Sequence, residues 1–287
     1  MPLDYKMKNI TKKEYSLGEV LSHAWHLFKK NFKLILFITL IIYIPINIIL
    51  QLIPVDPIIN EFGFWQGMRL YSRIMQILEG LIGIIAMMAI VHVIDMAVKN
   101  KKVGLGDAFI KALTSWPKAI WTNIVRSIFL IGLFVLLIVP GIIYSVYWYF
   151  FIFVVVIHGK YGNQALKHSK AVVKGRWWRI VGYAIVFGIL SAIIGIAVAL
   201  PFALFSGFTG DIITSIIGDT LIDIVASFFI VAFTIFFINL DHTKKIEPVK
   251  KPSSKKKKGS GMSKTSPKTP KKTKKKSKKT SKKKKKH

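Results

Sequence analysis

Long apolar runs alternate with polar gaps along most of this chain. Six runs approach the roughly 20 residues that an α-helix needs to cross a bilayer core of about 30 Å. Hydrogen bonds within a helix satisfy every backbone group in that core, so the pattern predicts an all-α integral membrane protein. The predicted spans are residues 34–53, 78–98, 120–139, 142–157, 180–200 and 212–240.

The shortest connection lies between the third and fourth spans. Only Pro140 and Gly141 separate them, which predicts a tight hairpin at these two residues. Pro45 falls inside the first span and predicts a kink, which is tolerated where helices pack together. Six crossings place both termini on the same side of the membrane.

A second pattern precedes the first, third and fifth spans. Apolar residues recur there at helical spacing, and Ser16 with Glu19 forms a capping box that begins the first such helix. The chain therefore predicts three short amphipathic helices, each followed by a membrane hairpin. We expect these helices to lie in the membrane interface; the alternative is that they pack on the bundle as connectors. The two apolar sets are Leu17, Val20, Leu21, Ala24, Trp25 and Phe28, and Leu105, Ala108, Phe109, Ala112, Leu113 and Trp116; a looser third copy aligns Ala165, Leu166, Ser169 and Val173.

Basic residues are confined almost entirely to alternate gaps. Arg69 and Arg73 are the exceptions, because they lie in a gap that otherwise has no basic residue. In membrane proteins, the cytoplasmic loops carry the excess of lysine and arginine. This bias predicts a multi-pass protein of the cell membrane with both termini in the cytoplasm. The predicted organisation is an N-terminal cytoplasmic segment (1–15), a membrane domain (16–243) and a cytoplasmic tail (244–287).

The end of the chain has a different composition. Residues 250–287 contain 20 lysines and no acid, so they cannot form an apolar core and are predicted to be disordered. Counterion release favours binding of such a tail to polyanions. The predicted partners are the lipid bilayer, anionic lipid headgroups, and nucleic acid or the ribosome. The alternative is a solvated run that only fixes topology.

One segment carries a family resemblance. It combines Ala165, Leu166, Ser169, Gly175, Arg176, Trp178 and Arg179, and follows the Pro140–Gly141 turn and an aromatic span. Together with the helix starts at Leu17–Gly18–Glu19 and Leu105–Gly106–Asp107, it resembles multi-pass proteins related to the membrane domain of glycerophosphoryl diester phosphodiesterases, over roughly residues 14–240. The resemblance implies a membrane domain alone, because nothing here corresponds to the soluble catalytic barrel of the fused relatives.

Ionisable residues inside the predicted spans are the candidates for chemistry, because charge within a bilayer is costly. The pairs His92 with Asp95 and Asp219 with Asp223 each share a helix face. Together with Glu79 they suggest a proton or cation relay. The alternative is structural: all lie near span ends, where side chains reach water. We favour the structural alternative, to which His92 and Asp95 are the strongest exceptions.

Four further residues predict an interfacial anchor. We expect the indole rings of Trp177 and Trp178 to lie at the depth of the lipid headgroups. The flanking Arg176 and Arg179 would bind lipid phosphate through their guanidinium groups.

Motifs for catalysis are missing from the sequence. There is no cysteine, no glycine-rich phosphate loop and no serine elbow. His23 and His26 offer only two of the three or four ligands that a zinc site needs. We therefore predict no catalytic residue, metal or cofactor, and a non-enzymatic membrane protein that organises lipid or envelope components. The alternatives are a transporter or channel for a small solute, or an insertase-like factor that docks on ribosomes.

Overall fold

The computed structural model describes residues 13–209 and 212–244, and all regular structure within them is α-helical. In chain order the helices are α1 (Leu17–Lys30), α2 (Phe32–Leu52), α3 (Asp56–Phe62), α4 (Phe64–Val98), α5 (Leu105–Leu136), α6 (Ile138–Tyr147), α7 (Phe151–His158), α8 (Gly162–Val173), α9 (Trp177–Thr209) and α10 (Ile212–Lys244). Six segments are long and apolar enough to cross a membrane: α2, α4, α5, α6 with α7, α9 and α10. The prediction of an all-α protein with about six spans is confirmed.

Two spans differ from their predicted form. Helix α4 has 35 residues and begins at Phe64, so it also includes much of the predicted outer segment. At about 1.5 Å per residue it is some 50 Å long, well beyond the bilayer core. The fourth span consists of α6 and α7, which are separated by a turn at Trp148–Phe150.

The hairpin between α5 and α6 lies three residues earlier than predicted. The chain breaks at Leu137, which is extended with φ −156° and ψ 127°. Pro140 falls in the first turn of α6, where its missing N–H costs no helical hydrogen bond. A Cβ on Gly141 would lie 2.5 Å from the Phe134 ring, so this glycine permits the close approach of the two helices.

The amphipathic helices pack on the bundle, as in the alternative considered above. Val20 and Ala24 of α1 are fully buried, and α1 contacts α10. Ala165 and Leu166 of α8 are buried in the same way, whereas Trp25 remains 51% exposed. The second amphipathic segment is continuous with the third span, within α5. The depth of these helices relative to lipid headgroups stays a prediction.

The predicted capping box begins α1. The Ser16 N–H donates to Glu19 Oε2 at 2.8 Å, and the Glu19 N–H donates to Ser16 Oγ at 3.4 Å. Lys13 Nζ lies 2.7 Å from Glu19 Oε1. The hydrogen bond from Lys13, together with that from the Ser16 backbone, lowers the pKa of Glu19 to about 2.

Burial is concentrated at one end of the bundle, which we call the basic end. It contains α1, α8 and the adjoining ends of the spans, and buries Met88–Ile94 of α4 almost completely. In α10, the residues from Val231 to Leu240 are buried beside them, apart from the half-buried Phe233. In contrast, α9 exposes Ile185 and Ile189, as expected of an apolar surface that faces lipid.

Candidate functional site: a lysine-lined cavity

A one-residue break between α1 and α2 forms the first wall of a cavity at the basic end. Asn31 leaves the helical conformation, with φ −108° and ψ 16°. Its backbone N–H and its side-chain Nδ2 both donate to the Leu27 carbonyl, at 3.0 and 2.9 Å. The chain resumes as α2 at once, which places Lys29, Lys30 and Lys33 around the break.

The second wall is the end of α4. Asn100 has a φ of 55° and its N–H donates to the Ala97 carbonyl at 3.1 Å, while the Lys101 N–H donates to the Met96 carbonyl at 2.9 Å. This pair of bonds is a Schellman motif, in which asparagine occupies the left-handed position that glycine usually takes. The chain reverses there, and Lys101 and Lys102 lie across the cavity from the start of α2.

Between these walls lies a cavity of about 650 Å³. Apolar side chains form part of its lining: Phe32, Leu34, Val93, Ala97 and Val103. The rest of the lining consists of Asn31, Asn100 and five lysines: Lys29, Lys30, Lys33, Lys101 and Lys102. All five lysines are exposed, and none has an ion-pair partner among the described residues.

This arrangement suits an amphipathic anion. The ammonium groups concentrate positive charge, and none of the described lining residues is a carboxylate. The lysine stems can lie along the apolar residues while their charged ends stay in water. The volume falls in the range of ordinary ligand pockets, about 300–1,000 Å³. Basic pockets between membrane helices are known to bind phospholipid headgroups.

The arginines of the predicted anchor have another role. Arg176 and Arg179 both bind the carboxylate of Glu14, and Arg179 also donates to the Tyr15 carbonyl. Their side chains are only 11% and 24% exposed. In this structure the two arginines are thus engaged by Glu14, and their role as phosphate ligands stays a prediction. Trp178 is 79% exposed, and its place in the membrane interface stays a prediction.

The same region of contact holds residues 13–15, which precede α1, on the bundle. The Tyr15 N–H donates to Asn239 Oδ1, and Asn239 Nδ2 donates to the Lys13 carbonyl, both at 2.9 Å. Tyr15 is buried and stacks on His23 at 4.6 Å, and burial raises the pKa of its phenol to about 12. Glu14 and Tyr15 therefore pack with the membrane domain, although the sequence assigned them to the N-terminal segment.

The predicted His92–Asp95 pair is not joined. Asp95 is buried and its Oδ2 lies 2.6 Å from Lys99 Nζ, one helical turn away. His92 has no hydrogen bond within the described part of the chain. Asp95 is thus paired with Lys99, as the structural alternative expects, and a relay through His92 and Asp95 stays a prediction.

The other predicted acids lie in the half of the bundle away from the basic end. Asn47 Nδ2 donates to Asp223 Oδ2 at 3.0 Å and to Thr220 Oγ1 at 3.2 Å, which links α2 to α10. Gln51 Nε2 donates to Asp219 Oδ2 at 3.3 Å. Glu79 lines a separate cavity of about 440 Å³ together with Tyr43 and Gln76. The structure thus brings Asp219 and Asp223 to one polar seam, with Glu79 nearby.

The lysine cavity was not predicted from the sequence. Lys101 and Lys102 belong to a basic cluster that is evident in the chain, as are Lys29 to Lys33. The position of one cluster opposite the other depends on the antiparallel packing of α2 against α4 and on the break at Asn31. The spacing of residues along the sequence does not predict that these two lysine clusters meet at one cavity.

Comparison with known proteins places the chain in a family. The model of a domain of unknown function (DUF7847) matches residues 71–240, so the chain belongs to that family. The match begins in α4 and ends in α10. No curated protein and no solved structure gives a significant match. The resemblance to the membrane domain of glycerophosphoryl diester phosphodiesterases stays a prediction.

Proposed function

We propose that this member of the DUF7847 family is a non-enzymatic membrane protein that binds the phosphates of anionic phospholipids in the lysine-lined cavity. By doing so it gathers anionic lipid around its bundle. The observation that carries the proposal is the set of five lysines, without a carboxylate among the lining residues, beside apolar side chains. A phosphodiester accepts hydrogen bonds from the ammonium groups, and its acyl chains contact the apolar side.

The place of the cavity along the spans supports a lipid over a dissolved anion. Lys33 is the second residue of α2, and Lys101 follows the last residue of α4 by three positions. Both are therefore at the ends of apolar spans, where headgroups lie. Basic residues near a membrane surface each contribute about 1 kcal/mol of attraction to anionic lipid.

The chemistry of the lining supports binding without catalysis. General acid–base catalysis needs a group that exchanges a proton within reach of the substrate, most often an imidazole or a carboxylate. Among the residues that the structure describes, the side chains that line the cavity carry ammonium, amide and apolar groups. These groups attract and orient a phosphate, which favours binding as the role of the cavity.

Native mass spectrometry of the detergent-purified chain tests the proposal. The chain is mixed with equal amounts of phosphatidylglycerol and phosphatidylcholine, and the adducts are counted. We expect the wild type to retain mainly phosphatidylglycerol. The triple variant Lys33→Gln, Lys101→Gln, Lys102→Gln should lose about tenfold or more of this preference.

A matched variant separates the cavity from overall charge. Lys118, Lys167 and Lys174 are exposed lysines in other segments at the same end. Changing these three to glutamine removes the same charge and should leave the preference close to wild type. Equal losses in the two triple variants would show a diffuse electrostatic effect and reject the cavity as the site.

A second candidate function is cation-coupled transport, which the polar seam favours. Asp223 and Asn47 face each other between α2 and α10 at membrane depth, where ionisable groups often mark ion pathways. Proteoliposomes with a pH-sensitive dye inside would report proton entry driven by a membrane potential. Transport predicts entry that Asp223→Asn abolishes; rates equal to those of protein-free vesicles would exclude proton transport.

The lysine-rich tail lies outside the described residues. We propose that it adds a second polyanion-binding segment, for nucleic acid or the ribosome, as its composition predicts. Co-sedimentation with RNA or ribosomes over a salt series should then depend on residues 250–287. Identical sedimentation of a chain without these residues would exclude that role.

A further inference from the structure

Three side chains with metal-ligating atoms meet beside the end of α10. His158 is the last residue of α7, His168 lies in α8, and Asp241 lies in the final turns of α10. His158 Nε2 is 3.0 Å from Asp241 Oδ2, and His168 Nε2 is 2.9 Å from Asp241 Oδ1. The three potential ligand atoms lie within 4.8 Å of one another. Because the histidines are 83 and 73 residues from Asp241, tertiary packing alone brings the group together.

The cluster is enclosed enough to define a site. Asp241 is 7% exposed, and the side chains of His158 and His168 are 22% and 17% exposed. A buried carboxylate must be neutralised or hydrogen-bonded, and either two imidazole N–H groups or a bound cation can do this. The imidazole edges that face the carboxylate both present Nε2, a nitrogen through which histidine binds metals.

The separations are close to those of a coordination shell. Ligand atoms at about 2.0–2.1 Å from a tetrahedral zinc ion lie about 3.3 Å from one another. The two nitrogen–oxygen distances, each to a different oxygen of Asp241, are within about 0.5 Å of that value, and the three ligand atoms lie within 4.8 Å of one another. Side-chain shifts that draw the two imidazoles toward one carboxylate oxygen would admit the ion. Two imidazoles and one carboxylate form a three-ligand set that leaves a further position open to water.

Lys160 opposes a cation at this position. Its Nζ lies 2.9 Å from His168 Nδ1, and an ammonium group only donates, so Nδ1 accepts and Nε2 carries the imidazole proton. Metal binding requires that proton to move to Nδ1 and Lys160 to turn away. Lys160 is exposed and follows Gly159, whose φ of 67° ends α7, so its side chain is free to reach solvent.

We propose that His158, His168 and Asp241 form a binding site for a divalent transition metal of the zinc type. The bound ion would join α7, α8 and α10 at the basic end. Imidazole ligands favour such ions over magnesium or calcium, which prefer oxygen ligands. This inference is independent of lipid binding, because none of the three residues lines the lysine cavity.

Calorimetric titration of the full-length, chelator-treated chain in detergent with Zn²⁺ tests the site. We expect one ion per chain, with no competition from Mg²⁺. His158→Ala and His168→Ala should each weaken zinc binding at least tenfold. His26→Ala removes an exposed histidine from α1 and should leave the affinity unchanged.

A variant with the opposite expected effect guards against loss of folding. Lys160→Gln removes the opposing ammonium from the exposed loop and should tighten zinc binding by about fivefold. The proposal is wrong if the wild type binds no more zinc than the His158→Ala, His168→Ala double variant. It is also wrong if Lys160→Gln fails to tighten binding, because the hydrogen-bonded cluster would then be a structural network only.

Discussion

Some residues at the basic end make long-range contacts that the surrounding sequence does not predict. Glu14 binds Arg176, just before α9, and Arg179 within α9, and so attaches the segment that precedes α1 to the bundle. Apart from its charge, nothing in the sequence near Glu14 marks it. The sequence singled out Arg176 and Arg179 as part of an interfacial anchor, but their partner Glu14 lies more than 160 residues away and could not be predicted.

Removal of the Glu14 carboxylate should destabilise the bundle. In Glu14→Gln the two arginines lose a charged partner in a partly buried setting, which we expect to cost about 1–3 kcal/mol after allowance for solvent. The measurement is the melting temperature of the detergent-purified protein. Glu61→Gln, at an exposed acid in α3, is the control and should melt like the wild type. Equal melting temperatures for all three proteins would show that the Glu14 contact contributes nothing.

At the scale of secondary structure, the prediction and the structure differ mainly at turns and helix ends. The apolar runs predicted the existence of all six spans, because length and hydropathy alone decide whether a helix can cross a bilayer. The break at Trp148–Phe150 and the added turns at the start of α4 were missed. Both depend on packing partners and not on local composition.

Ser169 is the partner that fixes the Trp148–Phe150 turn. The Phe150 N–H donates to Ser169 Oγ at 3.2 Å, and that hydroxyl donates to the Tyr147 carbonyl at 2.8 Å. Ser169→Ala should leave two backbone groups of the turn unpaired and cost about 1–3 kcal/mol. Thermal unfolding should show this loss, whereas Lys167→Ala, at an exposed position of the same helix, should have no effect. Matching curves for the two variants would contradict the role given to Ser169.

For the whole molecule, orientation connects the fold to the proposed function. The positive-inside pattern predicts that the basic end and its cavity face the cytoplasm. The chain has no native cysteine, so single cysteines can be placed freely. Asn60→Cys in α3 should react with an impermeant maleimide added to intact cells, and Tyr161→Cys at the basic end should react only after lysis. The reverse labelling pattern would contradict this orientation and would place the cavity at the outer leaflet.

The central claim is that phospholipid occupies the lysine-lined cavity, and photocrosslinking tests this most directly. A photoreactive residue replaces Val103, which lines the cavity, or Ile110, which is 64% exposed on α5 at the same end. Both proteins are irradiated in vesicles of phosphatidylglycerol and phosphatidylcholine, and the attached lipids are identified by mass spectrometry. We predict that position 103 captures phosphatidylglycerol well above its share of the vesicle, while position 110 captures lipids in proportion. The same proportional capture at both positions would contradict the claim.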